Sequence, residues 1–123
     1  MIYGDYDVDG ITSTFILYHV IKNLGGNVDY DIPNRFIDGY GLSTSKAYEI
    51  INEGYEIVIT VDNGIKSIKE ASIFKENNVV FIITDHHIME DQLPDAFSII
   101  HTELSDYPFK PLAGVGVVFK IIQ

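Results

Sequence analysis

The 123-residue sequence contains no cysteine. Disulfides and thiolate metal sites are therefore excluded, and the composition fits a reducing, cytoplasmic setting. Cations are scarce: 8 Lys and Arg stand against 18 Asp and Glu, giving a formal net charge of −10 and a pI near 4.5. A basic surface of the kind that grips a phosphate backbone is not expected from such a chain. Bound divalent ions that neutralise several acids, or gripping residues outside this chain, would soften that objection. No apolar run approaches the roughly 18 residues of a membrane span. The opening MIYGDYDVDG has no basic n-region, which argues against a secretory leader. Low-complexity segments, linkers and internal repeats are also lacking.

What the chain does have is apolar content of 46% with a mean hydropathy of +0.13, enough for a buried core. The length suits one domain or a piece of one. Residues 1–7 read as a short strand. Residues 11–24 carry apolar positions at helical spacing, with Asp9 or Thr12 as cap and Gly25-Gly26 as terminator. Residues 28–32 read as a second strand, 33–42 as a loop, and Ser43 as the N-cap of a helix through Asn52 that Gly54 closes. YEIVITV (55–61) and VVFIIT (79–84) are apolar nearly throughout, as central parallel strands covered on both faces are. Helices are expected at 66–76 and from 112 to the last residue, a loop at 87–95, a short strand at 97–100 and a loop at 102–111. The alternation predicts an α/β fold: an open parallel sheet of about five strands, right-handed crossovers and helices on both faces. The opening strand and closing helix look cut short, so the chain is expected to be part of a longer protein.

Chemistry concentrates at three strand ends. Asp5, Asp7 and Asp9 alternate, and in extended backbone they would point to one side. Asp62 follows YEIVITV, and Asp85, His86 and His87 follow VVFIIT. Open parallel sheets bind ligands beyond the carboxyl ends of their strands, so these groups are expected at one rim. Random acids would scatter to both edges. Hard oxygen donors favour Mg²⁺ or Mn²⁺, and the imidazole tilts the choice toward Mn²⁺. Four or more converging acids are too much charge for one ion. Two ions about 3.5–4 Å apart, bridged by one carboxylate, suit phosphoryl chemistry with an activated water.

The ordered motifs GDYDVDG, IPNRF with GYGL, VDNGI, TDHH and YPFKPLAGVGVVFK run over nearly the whole chain. Together they resemble the RecJ branch of the DHH phosphoesterase superfamily. The resemblance implies a truncated DHH domain over residues 1–123 and a single-strand-specific exonuclease that works from the 5′ end of DNA with Mn²⁺ or Mg²⁺. It implies a setting in DNA repair and recombination, and a second, DHHA1-type domain outside this chain. By the same resemblance Asp7, Asp9, Asp62 and His86 are metal ligands and catalytic, with Asp62 as the bridging acid. Asp5 is a ligand or supports one. His87 orients the phosphate or completes the shell, and Asp85 orients a histidine. Asn34 and Arg35 belong to a substrate-side loop, where Arg35 is suited to bidentate phosphate pairing.

Three positions depart from the family pattern. Tyr3 stands where a histidine often precedes Gly-Asp, His101-Thr102 stands where Asn-Pro is usual, and a further aspartate ligand lies downstream of AGVGVVFK. The second ion site is therefore expected to be incomplete, and the chain weak or inactive alone. Rival readings are a relative acting on short oligonucleotides, cyclic dinucleotides or pyrophosphate, and a non-catalytic single-strand-binding module. His19 and His101 read as structural. Gly114 and Gly116 suit a phosphate cradle or close helix packing equally.

Overall fold

A computed structural model of the chain describes residues 1–35 and 39–123. Part of the expected 33–42 loop, including the Phe of IPNRF, lies outside the described residues. The elements run β1 (Ile2–Tyr3), α1 (Val8–Asn23), β2 (Tyr30–Asp31), α2 (Thr44–Asn52), β3 (Ile57–Val61), α3 (Ile68–Glu76), β4 (Val80–Asp85), β5 (Ser98–His101), a 3₁₀ turn (Thr102–Leu104) and α4 (Gly114–Ile122). The strands form one sheet in the order β2-β1-β3-β4-β5, and every pairing is parallel.

The pleat explains the layers. Along β3 and β4, side chains alternate between faces. Val58, Phe81 and Ile83 join Ala47 and Ile50 of α2 and Ala71 and Phe74 of α3 in one buried cluster. Ile2 and Val61 turn the other way and meet Leu17 of α1 and Val118 of α4. Helices thus cover both faces, and β3 lies at the centre with apolar neighbours on each side. The Phe74 and Phe81 rings pack with centroids 4.9 Å apart. Burying side chains of this size contributes about 1.5–3 kcal/mol each.

Several boundaries differ from expectation, with physical reasons. β1 pairs only over Ile2–Tyr3, and the last backbone bond on its β2 side runs from Gly4 N to Asp31 O at 2.9 Å. Asp7 leaves the strand to become the N-cap of α1, with φ −84° and ψ 179°, and its Oδ1 accepts from Gly10 N at 2.9 Å. That cap satisfies one of the first N–H groups of the helix, which has no partner within α1. The helix therefore begins at Val8, the cap is neither Asp9 nor Thr12, and the expected alternation of the three aspartates fails. Gly10 permits this: a Cβ there would lie 2.4 Å from the Asp5 carbonyl oxygen, so the first turn of α1 sits directly on the Asp5 backbone. β2 is shortened to an edge pair while Val28 folds into the core. α3 begins at Ile68, because Ser67 N closes a turn onto Gly64 O at 2.9 Å. Ser43 caps α2 as expected, accepting from Lys46 N at 3.2 Å.

Candidate metal centre

The carboxyl ends of β1, β3 and β4 lie side by side, and their continuations meet at one rim. β3 ends at Val61, and Asp62 then takes a left-handed backbone conformation with φ +61°, which aspartate tolerates better than most residues. The turn holds the Asp62 side chain at the rim. Asn63, fully buried, donates through Nδ2 to Tyr3 O at 3.3 Å and to Val61 O at 3.0 Å, tying the end of β1 to the end of β3.

Asp62 is 1% exposed, and neither carboxylate oxygen accepts a well-formed hydrogen bond among the described residues. His86 Nε2 stands 3.0 Å from its Oδ1 and 3.4 Å from Oδ2 of Asp9. One ligand atom each from Asp5, Asp7 and Asp62 lie within 4.8 Å of one another, and so do those of Asp62, His86 and His87. Asp62 is the member common to both groups, the place expected of a bridging carboxylate. Burial, reinforced by the charges of Asp9, Asp7 and Asp85, pushes its carboxyl up to about 8. Burial likewise raises Asp5, although Tyr6 N–H donates to Asp5 Oδ1 at 2.7 Å. A buried carboxylate that faces other acids and an imidazole, with no well-formed hydrogen bond to either oxygen, is the environment a divalent cation satisfies. The donor set of oxygens plus imidazole, without sulfur, fits Mn²⁺ or Mg²⁺.

The remaining aspartates divide the supporting work. Asp7 gives one oxygen to its cap and keeps the other for the centre. Asp85 is fully engaged: Oδ2 accepts from Ile65 N at 2.9 Å, and Oδ1 accepts from His86 N, His87 N and His87 Nδ1 at 2.7, 3.1 and 2.7 Å. It orients His87 and leaves Nε2 of that ring without a protein partner among the described residues. Asp9 projects across to α4, where Oδ2 and Oδ1 accept from Gly114 N at 2.6 Å and Val115 N at 2.8 Å. Each of its oxygens retains acceptor capacity beyond these bonds, and Oδ2 also faces His86 Nε2.

Those two bonds decide the glycine question. The N–H groups that would cradle a phosphate at the start of α4 are held by Asp9. A Cβ at position 114 would lie 2.5 Å from Asp62 Oδ1, so Gly114 serves close packing. His101 is 3% exposed and structural: its Nε2 lies 2.9 Å from His87 O, and its Nδ1 accepts from Glu103 N at 3.2 Å. Tyr3 packs in the α2/α3 cluster. The Arg35 guanidinium lies 5.5 Å from the centre of the Tyr6 ring, and Asn34 and Arg35 are both exposed. His19 is also exposed, with its ring against Phe15.

Three contributors have partners that no local pattern in the sequence discloses, although Tyr40 lies in the quoted GYGL motif. Tyr40 Oη lies 3.2 Å from His87 Nδ1 with its ring edge-on to the imidazole, across 47 positions. The buried clamp of Asn63 and the contact of Gly114 with Asp62 likewise arise only on folding. The quoted VDNGI and AGVGVVFK motifs contain both residues without disclosing their partners.

The family model described as "DHH family, N-terminal domain" matches residues 1–123. The single-stranded-DNA-specific exonuclease RecJ of Bacillus subtilis is 47% identical over 98% of this chain and 16% of its own length. That of Escherichia coli is 42% identical over 99% of the chain and 22% of its own length. The chain thus spans about a fifth of the length of these curated relatives. A crystal structure of exonuclease RecJ bound to manganese superimposes with a TM-score of 0.91 at 35% identity, covering 98% of this chain and 31% of that one. RecJ in complex with Mn²⁺ from Thermus thermophilus gives 0.82 at 34% identity, covering 98% and 17%.

Proposed function

The chain belongs to the DHH family, and from that membership we propose that it is the metal-holding part of a single-stranded-DNA exonuclease that hydrolyses phosphodiester bonds from the 5′ end. The observation that carries this reading is Asp62, buried, with no well-formed hydrogen bond to either oxygen and shared by two groups of ligand atoms.

In this reading Asp7, Asp62 and His86 hold Mn²⁺ or Mg²⁺, Asp9 and Asp5 complete or support the shell, and Asp62 bridges two ions. Bound there, such ions supply an activated water and neutralise charge on the scissile phosphate. The chain's own residues set the geometry. Asp85 and Tyr40 fix the His87 ring so that its free nitrogen meets the phosphate side of the centre. Asp9, pinned by the α4 N–H groups, keeps its charge beside His86. Arg35, exposed on the same side as Tyr6, pairs with a phosphate of the strand, with Asn34 beside it. The −10 net charge makes the ions, and not a basic face, the main attraction for the phosphodiester.

No helix is long and apolar enough to cross a membrane among the described residues. We place the protein in the cytoplasm, in repair and recombination of DNA. The remaining part of a longer protein, including a DHHA1-type domain, closes over the strand. The isolated chain is then a weak nuclease.

Calorimetry with Mn²⁺ and hydrolysis of 5′-phosphorylated single-stranded DNA test the reading. The expected result is Mn²⁺ binding by the 123-residue chain, with 5′-mononucleotides released slowly and only with the metal. Failure to bind Mn²⁺ overturns it in favour of a non-catalytic strand-binding module. Hydrolysis of dinucleotides in preference to long strands points to a phosphoesterase of short oligonucleotides. Turnover equal to that of the full-length Bacillus subtilis relative overturns the requirement for a second domain.

A further inference from the structure

The dipeptide His86-His87 has no ladder of its own. β4 ends at Asp85, β5 begins at Ser98, and residues 86–97 between them form no helix or strand. Ile88, the next residue, is 87% exposed and gives the chain no anchor in the core. Side chains hold the dipeptide instead. Asp85 Oδ1 accepts from His86 N and His87 N at 2.7 and 3.1 Å. On the other side, His101 Nε2 stands 2.9 Å from the His87 carbonyl oxygen. Asp85 and His101 are the last residues of their strands and lie directly opposite each other in the β4–β5 ladder.

The hydrogen bonds fix which nitrogen of His101 carries the hydrogen. Glu103 N–H donates to Nδ1 at 3.2 Å, so Nδ1 is the acceptor. Nε2 therefore bears the hydrogen and donates it to His87 O. The ring is 3% exposed with both nitrogens engaged, which leaves it one orientation. Support of the 3₁₀ turn explains the Nδ1 bond. It does not explain Nε2, which reaches a carbonyl 14 positions earlier in the chain. Holding that carbonyl fixes the plane of the His87–Ile88 peptide, and with it the frame from which the His87 side chain projects. The His87 ring so placed donates through Nδ1 to Asp85 Oδ1 at 2.7 Å and belongs to one ligand group with Asp62 and His86.

Resting on the nuclease reading, we propose that His101 is a positioning residue for hydrolysis, holding the His87 peptide from β5 as Asp85 holds it from β4. It acts through the His87 carbonyl and not on the substrate. A group misplaced by about 1 Å costs a reaction about 100-fold. A peptide that loses one of its two anchors and keeps Asp85 costs less, about tenfold, the equivalent of one hydrogen bond.

Two variants separate positioning from support of the 3₁₀ turn. His101→Asn keeps an acceptor for the N–H two residues on, as asparagine does in turns, but its side chain falls short of His87 O. His101→Gln carries its NH₂ group out toward the place of Nε2 and can donate to His87 O. The proton that His87 Nδ1 shares with Asp85 is followed by NMR in the metal-free 123-residue chain. Hydrolysis of 5′-phosphorylated single-stranded DNA is measured with Mn²⁺. In His101→Asn, exchange of that proton should accelerate and kcat should fall, each about tenfold, while KM changes less than about twofold. His101→Gln should restore both. The opposite ranking, with His101→Asn native-like and His101→Gln impaired, means that His101 only caps the 3₁₀ turn and overturns the proposal. Equal loss in both variants means general support of the β5 end and also overturns it. The expected NMR pattern without hydrolysis by the native chain overturns the nuclease reading and leaves the anchoring of His87 standing. Hydrolysis by the native chain with an unchanged His87 proton in both variants does the reverse.

Discussion

Asp62 concentrates the conflict of this fold into a single carboxyl group. Its folded-state value of about 8 lies far above the ordinary carboxylate range, through burial first and the neighbouring Asp9, Asp7 and Asp85 second. A raised value means that the folded chain binds more protons than the unfolded chain between about pH 4 and 8. Stability attached to this group is thus complete below about pH 4 and is lost as pH rises through 8. The metal-free protein in chelator should melt at progressively lower temperature from pH 5 to pH 8, and Mn²⁺ should remove most of that slope. A melting temperature that rises over this range would contradict the assignment. Asp62→Asn keeps the left-handed conformation, which asparagine adopts readily, and removes the charge. It should raise the metal-free melting temperature at pH 8, abolish the Mn²⁺-induced rise and lower hydrolysis at least about 100-fold, since two ions lose their common ligand. A variant that still responds to Mn²⁺ would show that the bridging position lies elsewhere.

At the scale of elements, the site depends on a reciprocal contact between α1 and α4 that no local pattern discloses. Ala113, the N-cap of α4, has no side chain able to cap, and Asp9 from the first turn of α1 takes that role. Asp9→Ala should cost the metal-free protein about 1 kcal/mol, in the range of other lost caps. The loss should localise: amide exchange at Val117 and Val118 should accelerate before that of β3 and β4. Uniform acceleration throughout the sheet would mean that Asp9 supports the fold generally and not α4.

The same contact marks where sequence reading succeeds and where it stops. The succession of strands and helices along the chain, the capped α2 helix and the apolar β3 and β4 follow from periodicity and β-branched runs, which are local properties. The convergence of Asp62 and His86 follows from the rule that parallel strands present their ends to one side. The alternation of Asp5, Asp7 and Asp9 fails because α1 starts at Val8, three residues earlier than the apolar spacing indicates, and places Asp9 in its first helical turn. The partners of Asn63, Tyr40 and Gly114 are 60, 47 and 52 or more positions away by chain. Neither composition nor spacing carries that information.

For the whole molecule, the centre joins segments that only the folded sheet brings together: the turn after β1, the start of α1, the ends of β3 and β4 and, through Asp9, the start of α4. The unfolded chain has no such arrangement, so a cation bound at the rim stabilises the fold as a whole and not one loop. At a hundredfold excess over its dissociation constant, an ion adds about 2.7 kcal/mol. For a domain of this size that corresponds to a rise of about 10 °C in melting temperature. We expect this rise with Mn²⁺, reversal by a chelator, and the same midpoint whether the transition is followed through the helices or through the tyrosines. The tyrosines suit this comparison because Tyr3 lies in the α2/α3 cluster and Tyr40 contacts His87. Two separate midpoints in Mn²⁺ would mean that the rim tightens locally while the sheet melts on its own. In that case the metal would organise a loop system laid over an independent fold, and the expected coupling of the rim to the whole fold would be wrong.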